Sequence, residues 1–228
     1  MTSHIHNHPK GRKHGRKMRP ARLHALNSQN DKYAVTISNN TPRNLPPQKP
    51  LALEIGFGNG EHLLNLAALN PDTGFIGAEI YINGIARCLH RLADDPLPNI
   101  RIFNGDCRLL LAALPDQSLA AVYILFPDPW PKTRHHKRRL VQPDFLDLLA
   151  ARMRPDAALH FASDDIGYQA HTLAFVLAHP AFAWPAAAAP HPAAVWSAAP
   201  PPSRYRRKAR KTGKSAPHFK FTRRLRSS

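Results

Sequence analysis

From residue 51 onward the chain alternates between two rhythms of apolar and polar positions. "LALEI" (51–55) is a short apolar run of buried-strand type that ends at a glycine turn. "EHLLNLAALN" (61–70) has helical spacing and stops before Pro71. "GFIGAEI" (74–80) predicts a second strand, and "INGIARCLHRLADD" (82–95) a second helix. "NIRIF" (99–103), a helix near "RLLLAAL" (108–114) and "SLAAVYILF" (118–126) continue the alternation. "QPDFLDLLAARM" (142–153) reads as a helix with Pro143 in its first turn, "AALHFAS" (157–163) as a strand and "YQAHTLAFVLAHP" (168–180) as a helix ended by proline. Strands alternating with helices of this length imply right-handed crossovers and an α/β fold, a mostly parallel sheet with helices on both faces.

The flanks follow other rules. Residues 1–50 lack periodicity and carry prolines at 42, 46, 47 and 50, so they read as a basic, largely irregular arm before a folded domain at 51–228. Residues 180–202 hold seven Pro and ten Ala and read as a low-complexity connector. Beyond it, the basic segment 203–228 contains "HFKFTR" (218–223), which alternates apolar and basic residues. It suits a final strand, antiparallel because no crossover helix precedes it.

Charge changes the picture once it is located. The net charge is +17, but 23 of the 32 Lys/Arg lie in three blocks without an acid: 1–24, 132–139 and 203–228. The remainder has nine Lys/Arg against 15 Asp/Glu. A mildly acidic domain wearing three cationic blocks implies a polyanionic partner, held by phosphate contact and counterion release. Cys88 and Cys107 are too few for a disulfide framework and read as buried, reduced thiols of a cytosolic protein. No apolar run reaches the roughly 20 residues that span a bilayer. The N-terminal basic residues have no apolar stretch behind them, so they do not form a secretory signal. "HIHNH" (4–8) could hold a metal, but no acid or Cys joins it and a polar tail is the expectation.

The first strand runs into "LEIGFGNGEHL", with Gly56, Gly58 and Gly60 between strand and helix, where open α/β sheets bind ligands. The glycines alone do not separate dinucleotides from other adenosine ligands. Charge does: Glu54 precedes the loop and Glu61 follows it, and carboxylates there repel a pyrophosphate. They suit a cationic donor without phosphate, and S-adenosylmethionine carries both an ammonium and a sulfonium. Glu79, at the end of the second strand, is placed for two ribose hydroxyls. Asp106, after the third, could accept from an adenine amino group or act as a helix cap.

The fourth strand runs into "FPDPWPKTRHHKRR" (126–139). Prolines on both sides of Asp128 restrict the backbone and remove two donors, so the carboxylate is aimed. Trp130 could stack on a base or pack beneath the loop.

These residues resemble the bacterial tRNA (guanine-N7)-methyltransferases, a Rossmann-like class I family that uses S-adenosylmethionine. "LEIGFGNG", "GAEI", "FPDPWPKTRHHKRR" and "SDDIGYQA" fall in that family's order across about residues 50–170. The resemblance implies a seven-stranded sheet, methylation of N7 of a guanine in the tRNA variable loop (position 46) and a cytoplasmic, metal-free monomer or homodimer. It also implies that Glu54, Glu79, Asp106 and Asp128 line the S-adenosylmethionine site, with Asp128 catalytic. Lys132 and Asp164 would contact the substrate. Arg134, His135, His136, Lys137, Arg138 and Arg139 would lie along the RNA. The family's Thr-x-aromatic-Glu is here Ser203-Arg204-Tyr205-Arg206. Ser203 keeps the hydroxyl for the guanine site, whereas Arg206 reverses a charge and receives no role.

Three rival readings are discriminated by chemistry. A methyltransferase acting on an exocyclic amine would carry Asp/Asn-Pro-Pro-aromatic, and this chain lacks the second proline. A dehydrogenase would need room for a pyrophosphate beside Glu54. A non-catalytic RNA-binding module would not need the set of acids.

Overall fold

The computed structural model describes residues 17–184 and 217–224. "HIHNH", Ser203 and Arg206 lie outside the described residues. Their order along the chain is α1 (Pro20–Tyr33), β1 (Thr36–Ser38), β2 (Thr41–Arg43), β3 (Leu51–Ile55), α2 (Glu61–Leu69), β4 (Gly74–Glu79), α3 (Ile82–Asp94), β5 (Ile100–Asn104), α4 (Cys107–Ala113) and β6 (Leu119–Leu125). A short 3-10 helix (Thr133–Arg138) then leads to α5 (Pro143–Arg152), β7 (Met153–Ala162), α6 (Ile166–Ala178), β8 (Phe182–Ala183) and β9 (His218–Arg223).

Seven strands form the main sheet in the order β5-β4-β3-β6-β7-β9-β8. Strands β3 to β7 are parallel, and β9 is antiparallel to both β7 and β8. This is the Rossmann-like class I arrangement, with the antiparallel last strand anticipated from "HFKFTR". The period of two explains how the sheet is covered. Leu51, Leu53 and Ile55 join the core shared with Leu110, Phe145, Leu149 and Tyr168 of α4 to α6. Ala52 faces the other way, into the core shared with Tyr33, Leu63, Ile85 and Leu89 of α1 to α3. Cys88 and Cys107 are both buried and free. Among the described residues no helix is long and apolar enough to cross a membrane.

The segment before residue 50 departs from the expected irregularity. Pro20 opens α1, and helices tolerate proline at that first position. Only Ala25 and Tyr33 of α1 are buried, so its sequence shows little apolar stripe; packing on α3 holds it. β1 and β2 form a hairpin across Asn39 and Asn40, both left-handed at φ 50° and 54°. Asparagine tolerates that region, and two such residues make a tight hairpin turn. The Pro/Ala-rich stretch is also not wholly without structure, because Phe182 and Ala183 pair with β9 as β8.

The strand order reverses at β3, between β4 and β6, and ligands of open α/β sheets bind at such a switch point. Gly56, Glu79, Asp106, Asp128 and Asp164 all follow or end strands at this one carboxyl edge.

Candidate active site

The glycine turn leaves β3 with three left-handed residues, Gly56 at φ 73°, Gly58 at 59° and Gly60 at 76°. A β-carbon on Gly56 would meet nothing within 4 Å, so this backbone faces open space. On the opposite side a β-carbon on Gly84 would come within 2.1 Å of the Gly58 carbonyl. Gly84 lets α3 press against the turn, and nothing in its sequence context marked it.

Three of the predicted acids each have protein partners of their own. Glu79 Oε2 accepts from Gly58 N at 2.7 Å, and Oε1 accepts from Ile80 N and Tyr81 N at 2.7 and 2.9 Å. Burial pushes the Glu79 pKa up, the three backbone donors oppose that, and the charge of Asp128 adds to it. Glu54 is 4% exposed, and its Oε2 lies 2.7 Å from Nδ1 of His62 on α2. His62 went unnoticed in the sequence because its position eight residues on is meaningful only once α2 folds back over β3. Asp106 is the N-cap of α4: Oδ1 accepts from Arg108 N at 3.0 Å and lies 3.5 Å from Arg108 Nη1. It therefore fills the capping role that the sequence left open beside a ligand role.

Asp128 is held differently. It is exposed and has no hydrogen-bond or ion-pair partner among the described residues. The walls of its loop withdraw enough water to push its pKa up. Left-handed residues bracket the loop, Phe126 at φ 54° and Trp130 at φ 45°. Such conformations in bulky residues cost about 1–3 kcal/mol each and cluster at functional sites. Phe126 N donates to Ala162 O at 2.7 Å, which ties the loop entrance to β7. Trp130 is half-buried, edge-on to His135 at 5.8 Å and with the Arg138 guanidinium 5.0 Å from its ring centre. Asp164 is half-buried at the end of β7 and likewise has no partner among the described residues.

The basic run divides. Lys132, Arg134, Lys137 and Arg138 are exposed, His135 and His136 are half-buried, and no carboxylate pairs with these six among the described residues. Partial desolvation, then Arg138, Lys132 and Lys137, hold the His135 pKa below its ordinary value. Arg139 contradicts the expectation that it lies along the RNA, being only 2% exposed. Its Nε donates to Pro129 O at 2.9 Å and its Nη1 to Gly167 O at 3.0 Å. Arg138 and Arg139 are chain neighbours, but the end of the 3-10 helix turns one outward and the other inward.

Behind this loop, Tyr168 is fully buried. Its hydroxyl accepts from Leu140 N at 2.9 Å and Val141 N at 3.3 Å, and burial pushes its pKa up to about 12. Asp165, adjacent to the predicted Asp164, caps α6 by accepting from Tyr168 N at 2.7 Å. Among the described residues no three His, Cys, Asp or Glu come together as a metal site.

A family model described as "Putative methyltransferase" matches residues 48–219. The tRNA (guanine-N(7)-)-methyltransferase of Azorhizobium caulinodans is 41% identical over 216 residues, 93% of this chain and 94% of that protein. The protein of the same name from Caulobacter vibrioides is 43% identical over 180 residues, 78% of this chain and 80% of that one. Among solved structures, the 16S rRNA methyltransferase KamB aligns at 17% identity with a TM-score of 0.53, over 84% of this chain and 100% of that chain. The aminoglycoside resistance methyltransferase NpmB1 aligns at 17% identity with a TM-score of 0.52, over 83% of this chain and 99% of that chain. These two structures share the fold.

Proposed function

This chain belongs to the tRNA (guanine-N7)-methyltransferase family, and from that premise we propose that it transfers a methyl group from S-adenosylmethionine to N7 of a guanine in tRNA. The target is the variable-loop guanine at position 46, and the enzyme works in the cytoplasm, where tRNA is processed. The observation that carries this reading is the carboxylate of Asp128, which has no hydrogen-bond or ion-pair partner among the described residues. It sits in a proline-restricted loop next to four exposed cations that pair with no carboxylate among the described residues.

The glycine turn fits a cationic, phosphate-free donor. The charge of Asp128 adds to the raised pKa of Glu79, and a bound cation would relieve that repulsion. The open face of Gly56 leaves room for the cofactor. Glu79, already fixed by three backbone donors, keeps one lone pair, on Oε2, for a ribose hydroxyl. Glu54 supplies negative charge from beneath, and Asp106 borders the adenine. When bound, S-adenosylmethionine supplies an electrophilic methyl group.

Guanine N7 has an in-plane lone pair and no proton, so its methylation needs no general base. The protein has to align the reacting atoms and stabilise the positive charge that grows on the imidazole ring. Asp128 does this as a fixed carboxylate, by accepting from the guanine N1–H and amino group or by facing the developing charge. Asp164 supports the base from β7. Lys132, Arg134, Lys137 and Arg138 hold phosphates beside the target nucleotide, with His135 and His136 between them. Ser203 supplies a hydroxyl to the guanine pocket.

The test is methyl transfer to unmodified tRNA, followed by borohydride and aniline. Chain cleavage at one guanine supports the proposal. Methylated RNA that resists cleavage would mean an exocyclic amine is the target instead.

A further inference from the structure

Arg139 is the most buried charge in the basic run 132–139. A guanidinium is seldom placed in a protein interior unless its donors are satisfied, because desolvating it is costly. Among the described residues its one ion pair is a long one, Asp165 Oδ1 at 4.0 Å from Nη2. Its partners are two backbone carbonyls, Pro129 O and Gly167 O, and the Tyr168 ring, 5.0 Å from the guanidinium carbon.

The choice of carbonyls has a physical reason. Pro127 and Pro129 have no N–H, so much of the loop around Asp128 can be anchored only through its carbonyls. A donor must come from elsewhere, and Arg139 provides it. Pro129 adjoins Asp128, and Gly167 lies three residues after Asp164. One planar fork thus spans the two segments that carry the unpartnered acids. Lysine is a point charge on a flexible stem and cannot bridge both carbonyls in one fixed geometry.

We infer that Arg139 is a positioning residue that sets the placement of Asp128 relative to Asp164, and that it does not contact RNA. This rests on the proposed reading that both acids face the target guanine.

Arg139→Lys in the full-length protein tests it, with Arg154→Lys, at an exposed position of β7, as the comparison. The readouts are kcat and KM for tRNA, the salt dependence of tRNA binding, and amide exchange at Asp128 and Trp130. Arg139→Lys is expected to lower kcat about 10- to 100-fold, since small misplacements of reacting groups cost that much. Its salt slope and KM should stay those of wild type, and exchange at Asp128 and Trp130 should rise. Free guanidinium should restore turnover to Arg139→Ala. Arg154→Lys should leave kcat within about twofold of wild type, because Arg154 lies at the start of β7, away from the carboxyl edge, and the charge is kept. Three results overturn the inference: unchanged kcat in a folded Arg139→Lys, a salt slope that falls, or loss of the cooperative melt. The last would make Arg139 a residue of global stability. If wild type does not methylate tRNA, the functional reading fails, yet the exchange at Asp128 and Trp130 still reports whether the fork holds the loop.

Discussion

The acids of the glycine-turn side and those of the β6–β7 side are held by opposite means. Glu54, Glu79 and Asp106 each have protein partners: His62, three backbone N–H groups and a helix terminus. Asp128 and Asp164 have none among the described residues. A carboxylate bound to backbone donors shapes a loop and adds charge to it. A carboxylate left bare keeps its full hydrogen-bonding capacity for a ligand, at the cost of needing other groups to aim it. At Asp128 those groups are two prolines, two left-handed residues and a buried arginine.

Asp128→Asn breaks this contrast most directly. It keeps the shape and removes the charge. Turnover should fall about 100-fold or more, in line with the loss of a preorganised charged group at a reacting centre. tRNA affinity measured by filter binding should stay within about twofold, since the phosphate contacts are elsewhere. Undiminished kcat would remove Asp128 from the chemistry.

Glu79→Gln attacks the opposite kind of acid. An amide places N–H₂ against backbone N–H where an oxygen now accepts, leaving a buried donor unmet at about 1–3 kcal/mol. The expected result is roughly tenfold weaker S-adenosylmethionine binding by calorimetry together with a lower Tm. A lower affinity with an unshifted Tm would mean that Glu79 acts on the ligand without shaping the turn.

Acid separates the two sides by pH, provided unfolding is subtracted. The raised pKa of Asp128 means that its charge is lost at a higher pH than an ordinary aspartate's as pH falls. Stability falls for a separate reason. His160 stacks between Tyr123 and His218, and burial, then His218, Lys220 and His62, lower its pKa from 6.5 to about 3. In the unfolded chain His160 takes a proton near 6.5, before the folded one does. Its contribution is therefore complete above that value and declines as pH drops toward 3, on the order of 1 kcal/mol per pH unit. Urea melts at pH 7.5 and 5 should show this, and His160→Gln should flatten the slope. An unchanged slope would assign acid lability to another group.

The smallest effect concerns the exposed cations. Arg138→Ala should reduce the slope of log K against log salt by about 0.7–0.9, one phosphate's worth, with little change in kcat. No change in slope would make its stacking on Trp130 its whole role.

Much of this was legible along the chain because it is local. Apolar period marked six strands and five helices of the main fold, and glycines and acids marked the strand tips. α1 escaped because a helix with two buried side chains has almost no stripe to read. The Asn39-Asn40 hairpin did carry a signal, two residues that tolerate left-handed backbone, but it was masked by the surrounding prolines. His62 escaped because its bond to Glu54 exists only after helix and strand pack.

By itself the sequence determined the order of elements, the acids at their tips and the cations beside them, since these follow from neighbours within a few residues. Only the tertiary structure decided which acids are bound and which bare, and which of two adjacent arginines lies inside. Those outcomes depend on acceptors such as Pro129 O and Gly167 O, 10 and 28 residues from Arg139. No local pattern encodes how folding brings such groups together.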